Sequence, residues 1–299
     1  MKPVMKTVYE GRESQILHVF ENIYFRLSSL ELRHQCNIGI VELAQSIALI
    51  DYTVQEPDEE LLEEAENLLK KPVRYIFFTH PHRDHADGLY TLHRKDISII
   101  APAACIEELR KVYGALPTVL ATPAEAMDLD LEGMRFRLEF PPGAAHSPWD
   151  MFIGVPKLAC VFTGDALVSE KYMYFQSSSI GGWIEFLRQL KKDPWEYFLL
   201  GHGAPAQKDY LDNAIRHLEA LAHLKTLLLP QSPEIAAGLV GLRSGSAEFK
   251  TIVKRRLIDG KVPLSPKITK RLQELAETVG MDATVRQVGQ LALRTVEGY

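Results

Sequence analysis

Cysteine is scarce: Cys36, Cys105 and Cys160 are the only three in 299 residues. They are odd in number, far apart and form no CxxC pair, so neither a disulfide framework nor a thiolate metal site of that type is visible. They read as small buried hydrophobes in a reducing compartment. Long apolar runs are also missing, and none approaches the roughly 18–20 residues needed to cross a bilayer. The start, Met1-Lys2-Pro3-Val4-Met5-Lys6, lacks the apolar core of a secretory leader, so no leader is expected and the cytoplasm is the expected compartment. Internal repeats and low-complexity tracts are absent, as is any motif for a Ser-His-Asp or cysteine nucleophile. A strong charge of one sign is lacking too: the formal net charge is -5, which does not favour nucleic acid or an anionic membrane as an obligatory partner.

What is present is an ordinary globular composition, 46% hydrophobic and 24% charged, with a length that suits one large domain or two. From about residue 15 to 205, strand-like and helix-like segments alternate. Ile38–Leu43 and Ser46–Asp51 read as a hairpin turning at Ala44-Gln45. Pro57–Lys71 places Leu61, Leu62, Ala65, Leu68 and Leu69 on one helical face, with acids in its first turn and Lys70 and Lys71 in its last. A strand follows at Val73–Phe78, a helix near Asp87–His93, a strand at Ile97–Ala101 and a helix at Ala103–Tyr113. Met134–Phe140 alternates at period 2, as a half-exposed strand does, and Gly181-Gly182-Trp183 precedes a helix that runs to Lys192. From about residue 206 strand signals nearly vanish. Tyr210–Leu229, Ala247–Ile258, Lys267–Val279 and Ala283–Val296 are apolar at helical spacing. The expected organisation is therefore a domain over 1–206 and a mainly helical domain over 207–299. The segment 210–299 carries 13 basic and 9 acidic side chains, and the rest carries 21 and 30. Lys254-Arg255-Arg256 is the densest basic cluster and reads first as a solvated helix face.

The most informative stretch is Thr79-His80-Pro81-His82-Arg83-Asp84-His85. It follows the buried-strand run Val73–Phe78, and Pro81 stops regular structure, so the cluster is expected on a loop at the strand's end. Imidazole and carboxylate are the side chains that hold a hydrolytic metal ion. Four such groups at one strand terminus are costly to bury unless something binds them. Three more isolated polar residues lie at, or in loops beside, the ends of apolar runs: His146 beside Gly143 and Pro148, Asp165 ending Leu158–Asp165, and His202 between Gly201 and Gly203.

In order and spacing, Asp51, the His80–His85 cluster, His146, Asp165 and His202 resemble the five sequence motifs of the metallo-β-lactamase-fold hydrolase superfamily. The resemblance covers about residues 15–205. It implies an α/β fold, a four-layer αββα sandwich with the site in a cleft at one edge. It also implies that His80, His82 and His146 bind one divalent metal ion, that Asp84, His85 and His202 bind a second, that Asp165 bridges them, and that Asp51 supports the ligands by hydrogen bonds. The expected chemistry is hydrolysis: two cations about 3.5–4 Å apart share a water, which attacks as a bridging hydroxide, with Asp84 moving protons. Zinc is the first expectation, and Fe or Mn suit the same ligands. The flavodiiron branch typically carries Glu where this chain has His82, together with a flavodoxin-like domain for which 210–299 is too short and too helical.

One departure concerns the third motif. The superfamily often reads Pro-Gly-His-Thr-x-Gly, whereas this chain reads Ala144-Ala145-His146-Ser147-Pro148-Trp149-Asp150. The ligand is kept, the turn glycine is lost, and Trp149-Asp150 is added, which is expected to reshape the cleft wall. Tyr172 and Tyr174, which follow the Asp165 motif, are candidate donors to a substrate carbonyl, and edge packing of their rings is the competing reading. A small ester, lactone or thioester is the leading substrate class. A phosphodiesterase or nuclease gripping nucleic acid with the basic, winged-helix-like tail is an alternative. An iron-dependent oxygenase is another. Nucleic acid and membrane are not expected partners, and the tail's apolar faces point to a homodimer.

Overall fold

Strands covered on both faces send alternate residues into different cores. Along Ile47–Ile50, Ile47 and Leu49 enter one apolar cluster while Ala48 and Ile50 enter another. Phe198, Leu199 and Leu200 alternate in the same way between the second cluster and a third. The computed structural model describes residues 3–10, 14–28, 36–53, 60–141, 145–169, 180–228 and 270.

The first sheet contains, in spatial and chain order, β1 (Lys6–Glu10), β2 (Ser14–Phe20), β3 (Ile23–Ser28), β4 (Ile38–Glu42), β5 (Ile47–Ile50), β6 (Val73–Phe77), β7 (Ser98–Ile100) and β8 (Thr118–Ala121). Its first five strands form an antiparallel meander, and β5 to β8 pair in parallel. The second sheet is built from β9 (Met127–Leu131), β10 (Met134–Glu139), β11 (Phe152–Val155), β12 (Cys160–Val168), β13 (Tyr197–His202) and β14 (Ala206–Gln207), in reverse spatial order. All its pairs are antiparallel except β12 with β13.

Phe25, Phe77, Phe136, Phe162 and Leu199 fill the space between the two sheets. Helices α1 (Glu60–Leu69) and α3 (Ala103–Tyr113) cover the outer face of the first sheet through Leu61, Ala65, Ile106 and Leu109. Helices α4 (Ile180–Lys192) and α5 (Tyr210–Leu228) cover the second through Trp183, Leu187, Leu211 and Leu218. The result is the expected four-layer αββα sandwich. Helix α5, which lies past the boundary placed near residue 206, shares a core with α4. The helices expected at 247–258, 267–279 and 283–296 lie outside the described residues.

Three local expectations are corrected. The cluster after β6 is not wholly a loop: its second half forms the short helix α2 (Arg83–Ala86), closed by a His85 N–H bond to the His82 carbonyl at 3.0 Å. The helix expected near 87–93 is a 3-10 turn over Asp87–Tyr90. Gly181 and Gly182 lie within the first turn of α4, where the anchored indole of Trp183, donating to the Ala166 carbonyl at 2.9 Å, fixes the helix start.

Phe136 is fully buried between the sheets, its ring 5.0 Å from that of Phe77. Phe136→Ala should cost about 3–5 kcal/mol in chemical denaturation, and the exposed Leu120→Ala less than about 0.5 kcal/mol. Equal losses would contradict this packing.

Candidate metal centre

The polar residues singled out in the sequence converge at the ends of β5, β6 and β13, beside β12 and the loop before β11. Asp51 follows β5 with φ +64°, a left-handed conformation rare for a residue with a side chain. That conformation turns its carboxylate across the strand ends. Oδ1 accepts the Thr79 N–H at 2.8 Å, and Oδ2 accepts the Thr79 hydroxyl at 2.8 Å. Oδ2 also lies 2.8 Å from His85 Nδ1. Thr79 Oγ1 is in turn 3.0 Å from His80 Nδ1. One carboxylate thereby orients the start of the His80–His85 segment and the imidazole at its end.

His80, His82 and His146 form one group and Asp84, His85, Asp165 and His202 another, each with ligand atoms within 4.8 Å of one another. In the first, His82 Nδ1 and His146 Nε2 face each other at 2.9 Å. Two ring nitrogens cannot both present lone pairs at that distance, so a proton or a cation must lie between them. His80 Nε2 is buried with no hydrogen-bond partner among the described residues, which is costly unless it ligates something. Burial pushes His80 well below the usual imidazole value and His146 down to about 4, so both rings are neutral and able to ligate.

The second group has the opposite electrostatics. Burial opposes charge on His202, yet Asp165 and Asp84 hold it above the usual imidazole value. Partial burial opposes charge on Asp84 as well, and His85 and His202 hold its carboxyl below the usual carboxylate range. These carboxylates demand positive charge close by, from an imidazolium or a bound cation. Asp165 joins the groups: Oδ1 lies 3.1 Å from His85 Nε2 and 3.4 Å from His202 Nε2, and Oδ2 lies 3.8 Å from His146 Nε2. His202 Nε2 is also 3.2 Å from Asp84 Oδ2. An orphaned imidazole nitrogen, close-set imidazoles and carboxylates together fit divalent metal ions.

Asp165 is not the end of its strand. β12 continues to Val168, with register shifts on both sides of Gly164 relative to β13. A bulge there aims the carboxylate into the site. The neighbouring Gly201 has no room for a Cβ, which would meet Asp165 Oδ1 and the Gly164 backbone.

Cys36 forms a further group with Asp51 and His85. Asp51 there is already taken up by Thr79 and His85, and burial holds the Cys36 thiol up at about 12, so it stays protonated. This group is part of a buried hydrogen-bonded network joining Asp51, Thr79 and His85. Asp150, noted in the sequence only as part of the departure in the third motif, has a carboxylate that accepts from the Ser147 N–H at 2.9 Å and hydroxyl at 2.5 Å. That closes the loop of His146 in place of the missing turn glycine, and the Ser147-x-x-Asp150 spacing was its only signal. Asn37 was missed. Trp149 is half-buried and packs against the apolar cluster on the outer face of the first sheet. Tyr172 and Tyr174 lie outside the described residues.

Fold and side-chain constellation together define a class. The model of the metallo-beta-lactamase superfamily matches residues 32–202, more than half of the chain. The protein belongs to that superfamily, whose members are mostly metal-dependent hydrolases and typically bind zinc. Among solved structures, the chain is similar to a metallo-beta-lactamase from Pontibacter korlensis, with 19% identity, TM-score 0.61, and 69% of this chain and 99% of that one covered. It is similar also to the metallo-beta-lactamase FIM-1 from Pseudomonas aeruginosa in its mono-zinc form, with 17% identity, TM-score 0.60 and coverages of 71% and 97%. At such identities the likeness is one of fold. No curated protein matches the chain. Among the described residues no helix is long and apolar enough to cross a membrane.

Asp51→Ala should weaken metal binding by about 10–100-fold, read by competition with a chromophoric chelator. Thr79→Val, which keeps the backbone donor, should have a smaller effect. An Asp51→Ala variant with wild-type affinity would refute the orienting role.

Proposed function

We propose that the protein is a dinuclear metal-dependent hydrolase acting on a small ester, lactone or thioester. The observation that carries this reading is the split Asp165 carboxylate, with one oxygen toward His85 and His202 and the other toward His146. His80, His82 and His146 would hold one ion, and Asp84, His85 and His202 the other, with Asp165 between. Zinc suits this imidazole-rich set. When bound, such ions lower the pKa of water and polarise a carbonyl oxygen.

The residues of the chain supply the rest. His80, His85 and His146 are buried and keep their rings in fixed orientations through Thr79, Asp51 and the loop closed by Asp150. Asp84, at 31% side-chain exposure, is the most open of the carboxylates at the site. It faces both solvent and His202 and is placed to take a proton from attacking water and return one to a leaving alkoxide or thiolate. No side-chain nucleophile is needed. Free and buried Cys36, Cys105 and Cys160 favour a reducing, cytoplasmic setting. The proposed partner is a small molecule, with homodimerisation through the tail.

The zinc-loaded protein should hydrolyse members of a panel of carboxylic esters, lactones and thioesters. Activity should vanish on chelation and return with metal. A fully metallated protein inert across the panel would overturn the proposal. Steep salt-dependent binding to RNA would instead favour phosphodiester substrates.

A further inference from the structure

Asn37 precedes β4 in the first sheet, yet three of its bonds reach β13 of the second and the residue after it. It is 3% exposed. Its Oδ1 accepts the Ser28 N–H at 3.0 Å, while its Nδ2 donates to the Leu200 carbonyl at 3.0 Å and the Gly203 carbonyl at 2.7 Å. A main-chain N–H only donates and a carbonyl only accepts, so the partners themselves settle the orientation of the amide. The Asn37 backbone N–H donates to the Gly201 carbonyl at 2.7 Å. One residue therefore holds three carbonyls bracketing His202.

The opposite side of that loop is pinned as well. Ser169 N–H donates to the His202 carbonyl at 3.0 Å. Gly203 has φ +85°, and a Cβ there would strike Ser169. Next to Asn37, the Cys36 N–H donates to the Asp84 carbonyl at 3.2 Å. The two residues of segment 36–37 thus hold the backbones of His202 and Asp84, whose side chains meet at 3.2 Å.

We propose that Asn37 is a positioning residue for one half of the centre: it sets the His202 loop and so the site of the second ion, that of Asp84, His85 and His202. The proposal rests on the two-ion reading above. Removing its donors should loosen His202 while leaving His80, His82 and His146 in place. Such outer partners of metal ligands typically contribute about 10–100-fold in affinity.

The test is zinc titration of the full chain by chelator competition, with equilibrium dialysis for stoichiometry and circular dichroism for folding. Asn37→Asp keeps the size and the acceptor for Ser28 but turns an acceptor toward the Leu200 and Gly203 carbonyls. Asn37→Ser is the milder second variant. Expected is an unchanged first equivalent and a second weakened about 10–100-fold, the retained equivalent also reporting a folded site. Two equivalents of wild-type affinity in both variants, equal weakening of the two, or failure of both variants to fold would overturn the role of Asn37 alone. Wild-type protein that takes fewer than two equivalents would overturn the two-ion reading, and this proposal with it.

Discussion

At the end of β5 a single carboxylate, that of Asp51, is 2% exposed and meets the Thr79 N–H, the Thr79 hydroxyl and the His85 ring, each at 2.8 Å. A buried carboxylate is tolerable only when its oxygens are satisfied, and these contacts satisfy it. They reach the ligand loop at its first residue and its last. Between those points Pro81 and the short helix α2 leave the backbone little freedom. The left-handed φ of Asp51 carries a backbone strain that persists only because its surroundings over-determine it. If those bonds are lost, His80 and His85 are no longer held in common.

The sandwich explains why the site assembles where it does. Two sheets meet over the aromatic cluster of Phe25, Phe77, Phe136 and Phe162, so the ends of their central strands lie side by side. Four of the seven proposed ligands follow β6, and the other three come from β12, β13 and the loop before β11. Among the described residues Glu132 accepts from the Gln45 N–H and the Ser46 hydroxyl across that seam, at the end of β5 away from the site, and two further crossings lie beside the site. Met151 N–H to the Thr79 carbonyl at 2.8 Å fastens the His146 loop to the first sheet, and Asn37 fastens the His202 loop. Both crossings lie within a few residues of a ligand, so site geometry and sheet–sheet register are coupled.

All seven proposed ligands were legible in the sequence because each places an expensive polar group beside an apolar run. The apolar runs within β4, β5 and β13 were legible for a related reason: a strand covered on both faces carries few polar residues. Asn37 was not, because its partners lie 163 and 166 positions away and an isolated Asn resembles any turn residue. Asp150 was seen as a departure in the third motif, but the closure it makes depends on a hydrogen bond to Ser147 that composition does not announce. α2 was missed because four residues are too few for a periodic signal. The bulge in β12 was missed because two-residue alternation cannot reveal a register that shifts against a neighbour.

That bulge sets a limit on how the chain can vary in length. Side chains alternate across a sheet, so losing or gaining one residue turns every later side chain of the strand to the opposite face. Immediately after Asp165, the residues Ala166, Leu167 and Val168 belong to the apolar cluster beneath α4. A single-residue deletion in β12 ahead of Asp165, between Cys160 and Gly164, would therefore turn that carboxylate toward the opposite face and bring an apolar neighbour into its place. Insertions at surface turns would leave the centre untouched. Related chains should thus differ freely in loop length around the cleft, where substrates are told apart, and hardly at all along this short stretch of strand.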